Sequence, residues 1–338
     1  MGIKIIKNKE LWMEDQALQQ LHKLNKLKDV TDIVALPDLH PAKTPVGVTV
    51  KTHHLIYPHI IGNDIGCGMC FVNTNIKVKK FNAEACSKSL EGTSITGKYS
   101  IGGGNHFLEC QVIDKIYSKD AYKKLDLDDK YLYLLIHSGS RGLGDEVYRK
   151  FASVEGLEDS TEEFDSYIEA YNDAIVFAKE NRRELADIFV SMIGRKVKNE
   201  VVLDCVHNYI EVIDGNYYHH KGTISSYENR YAVIAGSRGS YSYIVECISG
   251  EDNLYSISHG AGRKIPRYNS KGIIGNKYTR KQLKTTSIGS FVIIDKIDLL
   301  YEEAPENYKS IEKVIEALVE HKCIRLVARL KPILNYKC

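Results

Sequence analysis

The densest chemistry in the sequence lies in Gly62-Asn63-Asp64-Ile65-Gly66-Cys67-Gly68-Met69. A carboxylate and a thiol stand three residues apart in a Gly-rich turn, where glycine's backbone freedom lets both side chains converge. Carboxylate oxygen and thiolate are both metal ligands. On its own, Asp-x-x-Cys reads more readily as a turn around a buried cysteine. Three histidines extend the set. His106 lies in Ser100-Ile101-Gly102-Gly103-Gly104-Asn105-His106-Phe107-Leu108-Glu109, His137 opens His137-Ser138-Gly139-Ser140-Arg141-Gly142, and His207 opens His207-Asn208-Tyr209. Each falls at a strand–loop junction, where a lone histidine is commonly just hydrogen-bonded. Together, Asp64, Cys67, His106, His137 and His207 make a mixed O/S/N set large enough for two metal ions sharing the thiolate. Ligand softness points to zinc as readily as to manganese. His53, His54, His59, His219 and His220 are less distinctive and read as surface or supporting residues.

A second constellation is Ser258-His259-Gly260-Ala261-Gly262-Arg263. Three small residues after a histidine expose backbone N–H groups that can form a nest for a phosphate. Arg263 can add a forked cationic contact. The His259 imidazole could attack phosphorus and form a phosphoramidate; a tight turn with a structural histidine fits the same residues. Ala235-Gly236-Ser237-Arg238-Gly239-Ser240-Tyr241-Ser242 offers another Gly/Ser-rich loop after a strand. Neither segment has P-loop spacing. Residues 263–284 carry Arg263, Lys264, Arg267, Lys271, Lys277, Arg280, Lys281 and Lys284 with no acidic residue. Directly after the candidate nucleophile, this run reads as a contact for a phosphate backbone.

These loops need a rigid frame. Leu18, Leu21, Leu24 and Leu27 predict a helix within residues 13–28. A long helix is expected to begin at Ser160, with Glu163 completing a capping box. Another is expected near residues 308–321. Strands are predicted at Asp32–Leu36, Val46–Lys51, Tyr131–Ile136, Val201–Val206, Tyr231–Ala235 and Phe291–Ile294. Strands and helices do not alternate regularly, which predicts an α+β fold.

Composition narrows the class. With 338 residues, 43% hydrophobic and 27% charged, the chain is neither disordered nor collagen-like. Lys plus Arg number 46 against 44 acidic residues, a net charge of +2, so any nucleic-acid surface must be local. No apolar run approaches the roughly 18 residues of a membrane helix, and no signal peptide is read at the N-terminus. Eight cysteines, at 67, 70, 86, 110, 205, 247, 323 and 338, are too sparse for a disulfide scaffold. A cytoplasmic setting with no membrane partner is expected.

From Asp38 onward the motifs resemble, in order, those of the RtcB-type RNA-splicing ligases. They are Asp38-Leu39-His40-Pro41, Asn63 through Met69, Gly104 through Glu109, His137 through Gly142, His207-Asn208-Tyr209, Gly236-Ser237, His259 through Arg263, Glu303-Ala304-Pro305, Tyr308-Lys309 and Lys337. The resemblance implies one catalytic domain over residues 1–338, built of mixed β-sheets with surrounding helices. It implies that Asp64, Cys67, His106, His137 and His207 hold two Mn²⁺ with Cys67 bridging, and that His259 carries GMP from GTP. It assigns the guanylate pocket to Asn105, His106, Phe107, Leu108, Glu109, His207, Asn208, Ala235, Gly236, Ser237, Arg238, Ser242, His259, Gly260, Ala261, Gly262, Tyr308 and Lys337. Within that pocket Glu109 would accept from the guanine edge, Tyr308 would stack on the base and Lys337 would act as a cation.

The implied reaction joins an RNA 3′-phosphate or 2′,3′-cyclic phosphate end to a 5′-hydroxyl end, in RNA repair or tRNA splicing, with room for an activating protein partner. The sequence departs from the family pattern at Ala42, Ala235, Arg238 and Pro266, where Gly, Pro, Met and Ser are usual, and the chain is short for the family. Two rival readings follow from the same residues. One is a protein that binds RNA ends or guanylate without joining them; the other is a metal-dependent phosphodiesterase.

Overall fold

The computed structural model describes residues 2–337. β-Branched and aromatic residues place much of the chain in two large, mainly antiparallel sheets. One has five strands in the spatial order Gly2–Ile5, Val30–His40, Val46–Thr52, Asn216–Lys221, Asn208–Ile213. The other has eight. Seven of them run in the order Tyr231–Ile234, Ser242–Cys247, Ile324–Lys337, Phe107–Ile116, Tyr131–Ser138, Gly68–Lys77, Glu200–Val206. The eighth, Phe291–Ile294, pairs in parallel with Ile324–Lys337. Helices pack around these sheets without alternating with the strands, so the fold is α+β as expected.

Each predicted strand forms, most with extended ends. The first runs from Val30 to His40, through Pro37. Its register with Val46–Thr52 breaks between Ala35 and His40, which is how a proline is tolerated there. This irregular end carries Asp38.

The first helix is Asp15–Leu24, with Leu21 and Leu24 buried. The long helix is Glu162–Met192, and its cap differs from the expectation. Thr161, not Ser160, is the N-cap, and its hydroxyl accepts from Phe164 N at 3.2 Å. Ser160 has φ 64°, outside the extended backbone that an N-cap adopts. The helix buries Tyr167, Tyr171, Ala174, Ala178, Leu185 and Phe189 along one stripe. The helix expected near 308–321 is Ile311–Glu320.

His219 and His220 are not surface residues; both are wholly buried. They lie on a central strand of the five-stranded sheet, where their rings are spent on structure. His219 Nε2 accepts from Tyr57 N at 2.8 Å, and His220 Nε2 lies 3.2 Å from Glu211. Burial draws His219 down to about 3. Seven cysteines are buried and without disulfides, and all but Cys67 serve as small core residues; Cys338 lies outside the described residues. Among the described residues no helix is long and apolar enough to cross a membrane.

Candidate metal and nucleotide site

Four neighbouring strands of the eight-stranded sheet position the candidate metal ligands. Cys67 immediately precedes Gly68–Lys77, and His106 precedes Phe107–Ile116. His137 is near the end of Tyr131–Ser138, and His207 follows Glu200–Val206. Antiparallel neighbours alternate starts and ends, so all four positions fall on one edge. The register confirms it: His137 pairs with Phe107, and Gly68 pairs with both Ser138 and Val206.

The side chains then converge into two triads that share Cys67. Cys67, His137 and His207 form one; Asp64, Cys67 and His106 form the other. Within each, the ligand atoms lie within 4.8 Å of one another. Cys67 Sγ is 3.1 Å from His137 Nε2 and 3.3 Å from His106 Nε2. His137 Nε2 is 3.2 Å from His207 Nε2, and His106 Nε2 is 2.8 Å from Asp64 Oδ2.

Two neutral imidazoles and an ionised carboxylate suit a cation, whereas the thiol must first give up its proton. Burial, then the Asp64 carboxylate, pushes the Cys67 thiol well up. Burial, then neighbouring imidazoles, holds His137 and His207 well below the usual range and therefore neutral. Burial also opposes ionisation of Asp64, but His106 outweighs it and holds the carboxyl well below its usual range. His137 Nδ1 donates to the Asn105 carbonyl at 3.1 Å, which leaves the Nε2 lone pair for a metal. Gly139 is required by space, since a Cβ there would lie 2.1 Å from Asp64 Oδ1.

The sequence reading missed what fastens these loops. Asn181 and Arg182, adjacent on the long helix, are wholly buried. Asn181 accepts from Ser100 N at 3.0 Å and donates to the Ser100 carbonyl and Ser138 hydroxyl at 3.1 and 2.9 Å. Arg182 Nη1 donates to the carbonyls of Gly66 and Ser138 at 2.7 and 2.9 Å, and Nε donates to Asp204 at 2.8 Å. Three ligand-bearing loops are thus tied to one helix. Arg182→Ala would strand two carbonyls and the partly buried Asp204 carboxylate, whose side chain is 11% exposed. The expected loss of unfolding free energy is about 3–5 kcal/mol by denaturant titration, with metal affinity falling alongside.

The candidate nucleophile comes from the other side. His259 follows the short strand Ser256–Ser258. Its Nδ1 is 2.8 Å from Oδ2 of the wholly buried Asp38. Its ring lies 4.6 Å, centroid to centroid, from His207. Asp38 had stood out only as part of Asp-x-His-Pro; here it orients the imidazole and leaves Nε2 as the ring nitrogen it does not engage. Gly262, with φ +71°, makes the close approach possible, because a Cβ would meet the Asp38 carbonyl oxygen at 2.3 Å.

Both groups open into one cavity of about 1050 Å³. Its walls include Asn105, His106, Phe107, Glu109, His207, Asn208, Ala235, Gly236, Ser237, Arg238, Gly260, Ala261, Gly262, Tyr308 and Lys337. Burial pushes Glu109 up to about 7 although Asn335 and Gln111 donate to it at 2.5 and 2.7 Å. Burial draws Lys337 down to about 8, and its ammonium donates to the His106 carbonyl at 2.5 Å. Arg238 Nη2 donates to the Leu300 carbonyl at 2.9 Å, while Nε and Nη1 are buried without a partner.

Some expected residues sit elsewhere. Leu108 points into the hydrophobic core, because alternation along its strand turns Phe107 and Glu109 to the cavity. Ser242 is not in the cavity wall; its hydroxyl accepts from Gly236 N at 3.0 Å and shapes the loop. Arg263 is already committed to the Tyr308 hydroxyl, Glu303 and the Glu302 carbonyl at 3.2, 3.3 and 2.9 Å. Its guanidinium lies 5.0 Å from the Tyr308 ring centre and covers one face. The basic run is also partly neutralised: Arg267 pairs with Glu302 and Glu303, Lys271 with Asp298 and Lys284 with Glu91.

Comparison with known proteins identifies the family. The family profile described as tRNA-splicing ligase RtcB matches residues 20–98 and 87–338. The RNA-splicing ligase RtcB2 of Escherichia coli is 37% identical over 361 residues, covering 98% of this chain and 94% of that protein. The RNA-splicing ligase RtcB of Escherichia coli K12 is 26% identical, with 90% of each chain covered. The tRNA-splicing ligase RtcB of Thermococcus kodakarensis is 28% identical over 69% of this chain and 58% of its own. A profile spanning nearly the whole chain, on a fold that gathers the expected ligands, places this protein in the RtcB family.

Proposed function

We propose that the chain is a GTP- and manganese-dependent RNA ligase that seals 3′-phosphate or 2′,3′-cyclic phosphate ends to 5′-hydroxyl ends in RNA repair or tRNA processing. The observation that carries this reading is the shared cavity: an imidazole oriented by a buried carboxylate faces the same space as two thiolate-sharing triads. The ligand atoms fit divalent cations, since two neutral imidazole nitrogens and a sulfur face one another at 3.1–3.2 Å. Asp64, Cys67 and His106 would hold one Mn²⁺, and Cys67, His137 and His207 the other. Bound there, the cations would supply Lewis-acid neutralisation of phosphate oxygens.

The chain's own residues account for the rest. His259 Nε2 attacks the α-phosphorus of GTP; an N–P bond forms and the P–O bond to pyrophosphate breaks. Asp38 holds the ring at Nδ1 and stabilises the cation that develops as nitrogen gains its bond to phosphorus. Glu109, ionised in part near neutrality, accepts from the guanine edge, with Tyr308 and Lys337 beside it. The GMP then passes to the RNA 3′-phosphate. The 5′-hydroxyl attacks that activated phosphorus and GMP leaves; a cyclic phosphate is first hydrolysed to the 3′-phosphate.

The test is to mix the protein with Mn²⁺ and α-labelled GTP, denature it, and look for acid-labile protein-bound label. Absence of label from a folded, metal-loaded preparation defeats the reading. Asp38→Asn should leave the fold intact but offer an amide where a carboxylate stood. Labelling should slow by about 10²–10⁴-fold in single-turnover assays.

A further inference from the structure

Trp12 is the sequence's single tryptophan, and 64% of it is exposed. Tryptophan is usually well covered, so this exposure needs a reason. Its neighbours Leu11 and Met13 are buried in two different core clusters. Pinned on both sides, the backbone holds the indole outward. Tyr268 is more open still, 84% exposed, in the first turn of the Arg267–Gly275 helix. That turn is anchored too: Arg267 is tied to Glu302 and Glu303, and Ser270 is buried, donating to the Pro266 carbonyl at 3.1 Å.

Both rings line the cavity that holds His259 and the two triads. Arg141 and Lys264 stand in the same walls, as does Arg267, whose charge is paired with Glu302 and Glu303. Exposed aromatic rings beside cations, at the mouth of a site for phosphate ends, are how proteins hold single-stranded nucleic acid without reading its sequence. Every base offers a π-face, and the cations meet the backbone between bases.

We propose that Trp12 and Tyr268 are stacking platforms for the unpaired bases of the RNA strands whose ends enter the cavity. This rests on the RNA-ligase reading above. It adds a binding subsite outside the guanylate pocket and ascribes a broad sequence tolerance to it.

The single tryptophan makes the test direct. A short single-stranded RNA with a 3′-phosphate is titrated into the full chain. Binding is followed by fluorescence anisotropy of a dye on the RNA and, separately, by tryptophan emission. The expected result is saturable quenching with the dissociation constant that anisotropy gives. Trp12→Ala and Tyr268→Ala should each weaken binding by about 5- to 100-fold, and Trp12→Phe should recover most of the loss. Tyr227→Ala removes an exposed tyrosine outside the cavity wall and should bind like wild type. RNA with abasic residues near its 3′ end should bind wild type weakly and lose little more in the variants.

Unchanged emission while anisotropy reports binding overturns the proposal. So does wild-type affinity in both alanine variants, or failure of the RNA to bind at all. GTP labelling of the same wild-type preparation separates the two ideas. Label with no quenching removes the platforms and leaves the guanylylation reading standing; loss of both removes both.

Discussion

His259→Ala is expected to eliminate acid-labile label from α-labelled GTP and to lower RNA ligation by about 10⁴-fold or more. The size follows from the role: without the imidazole nitrogen, the covalent step has no acceptor for phosphorus. Cys67 is no substitute nucleophile, since it is 2% exposed and its sulfur would be committed to the two cations. The alanine variant would also leave the buried Asp38 carboxylate without its partner, at about 3–5 kcal/mol. His259→Asn restores a donor and should be nearly as inactive while melting closer to wild type. Cleavage of RNA that ignores GTP and survives either substitution would instead favour the phosphodiesterase reading.

Cys67→Ala should disable both metal positions at once, because the sulfur belongs to both triads. Titration of Mn²⁺ followed by electron paramagnetic resonance should show weak residual binding, with affinity down at least about 100-fold. His106→Ala should instead spare the Cys67–His137–His207 triad and retain one ion. The pH dependence has a definite sign. The Cys67 thiol is raised well above its usual range in the metal-free chain, so it is protonated across neutral pH. A cation that takes the thiolate must displace that proton. Apparent affinity should therefore rise with pH, by up to about tenfold per unit. A flat profile between pH 6 and 8 would remove the thiolate from the ligand set.

The ligand set was legible because metal chemistry restricts residue type: one carboxylate, one thiol and three histidines stand out against small residues. Which histidine joins which triad was not legible, since it depends on strand order, and Phe107–Ile116, Tyr131–Ser138, Gly68–Lys77 and Glu200–Val206 are neighbours only in space. Asn181 and Arg182 gave no signal at all; mid-helix polar residues ordinarily face water, and only packing shows that these face three loops. Arg263 misled for the opposite reason. An arginine after a Gly-rich nest suggests a phosphate, but Glu303 and the Glu302 carbonyl, forty and thirty-nine residues away, claim its donors first. Leu108 illustrates a limit of motif transfer, since a contiguous motif on a strand sends alternate side chains to opposite faces.

The cation ligands ride on the eight-stranded sheet, while Asp38, which steadies the nucleophile, belongs to the five-stranded one. The proposed chemistry would therefore depend on how the two sheets are packed. One core cluster sets that packing, joining Val34 and Leu36 of the smaller sheet to Ile234 and Val245 of the larger. Thinning that shared core would loosen the alignment of imidazole and cations before it removed any residue of the site itself.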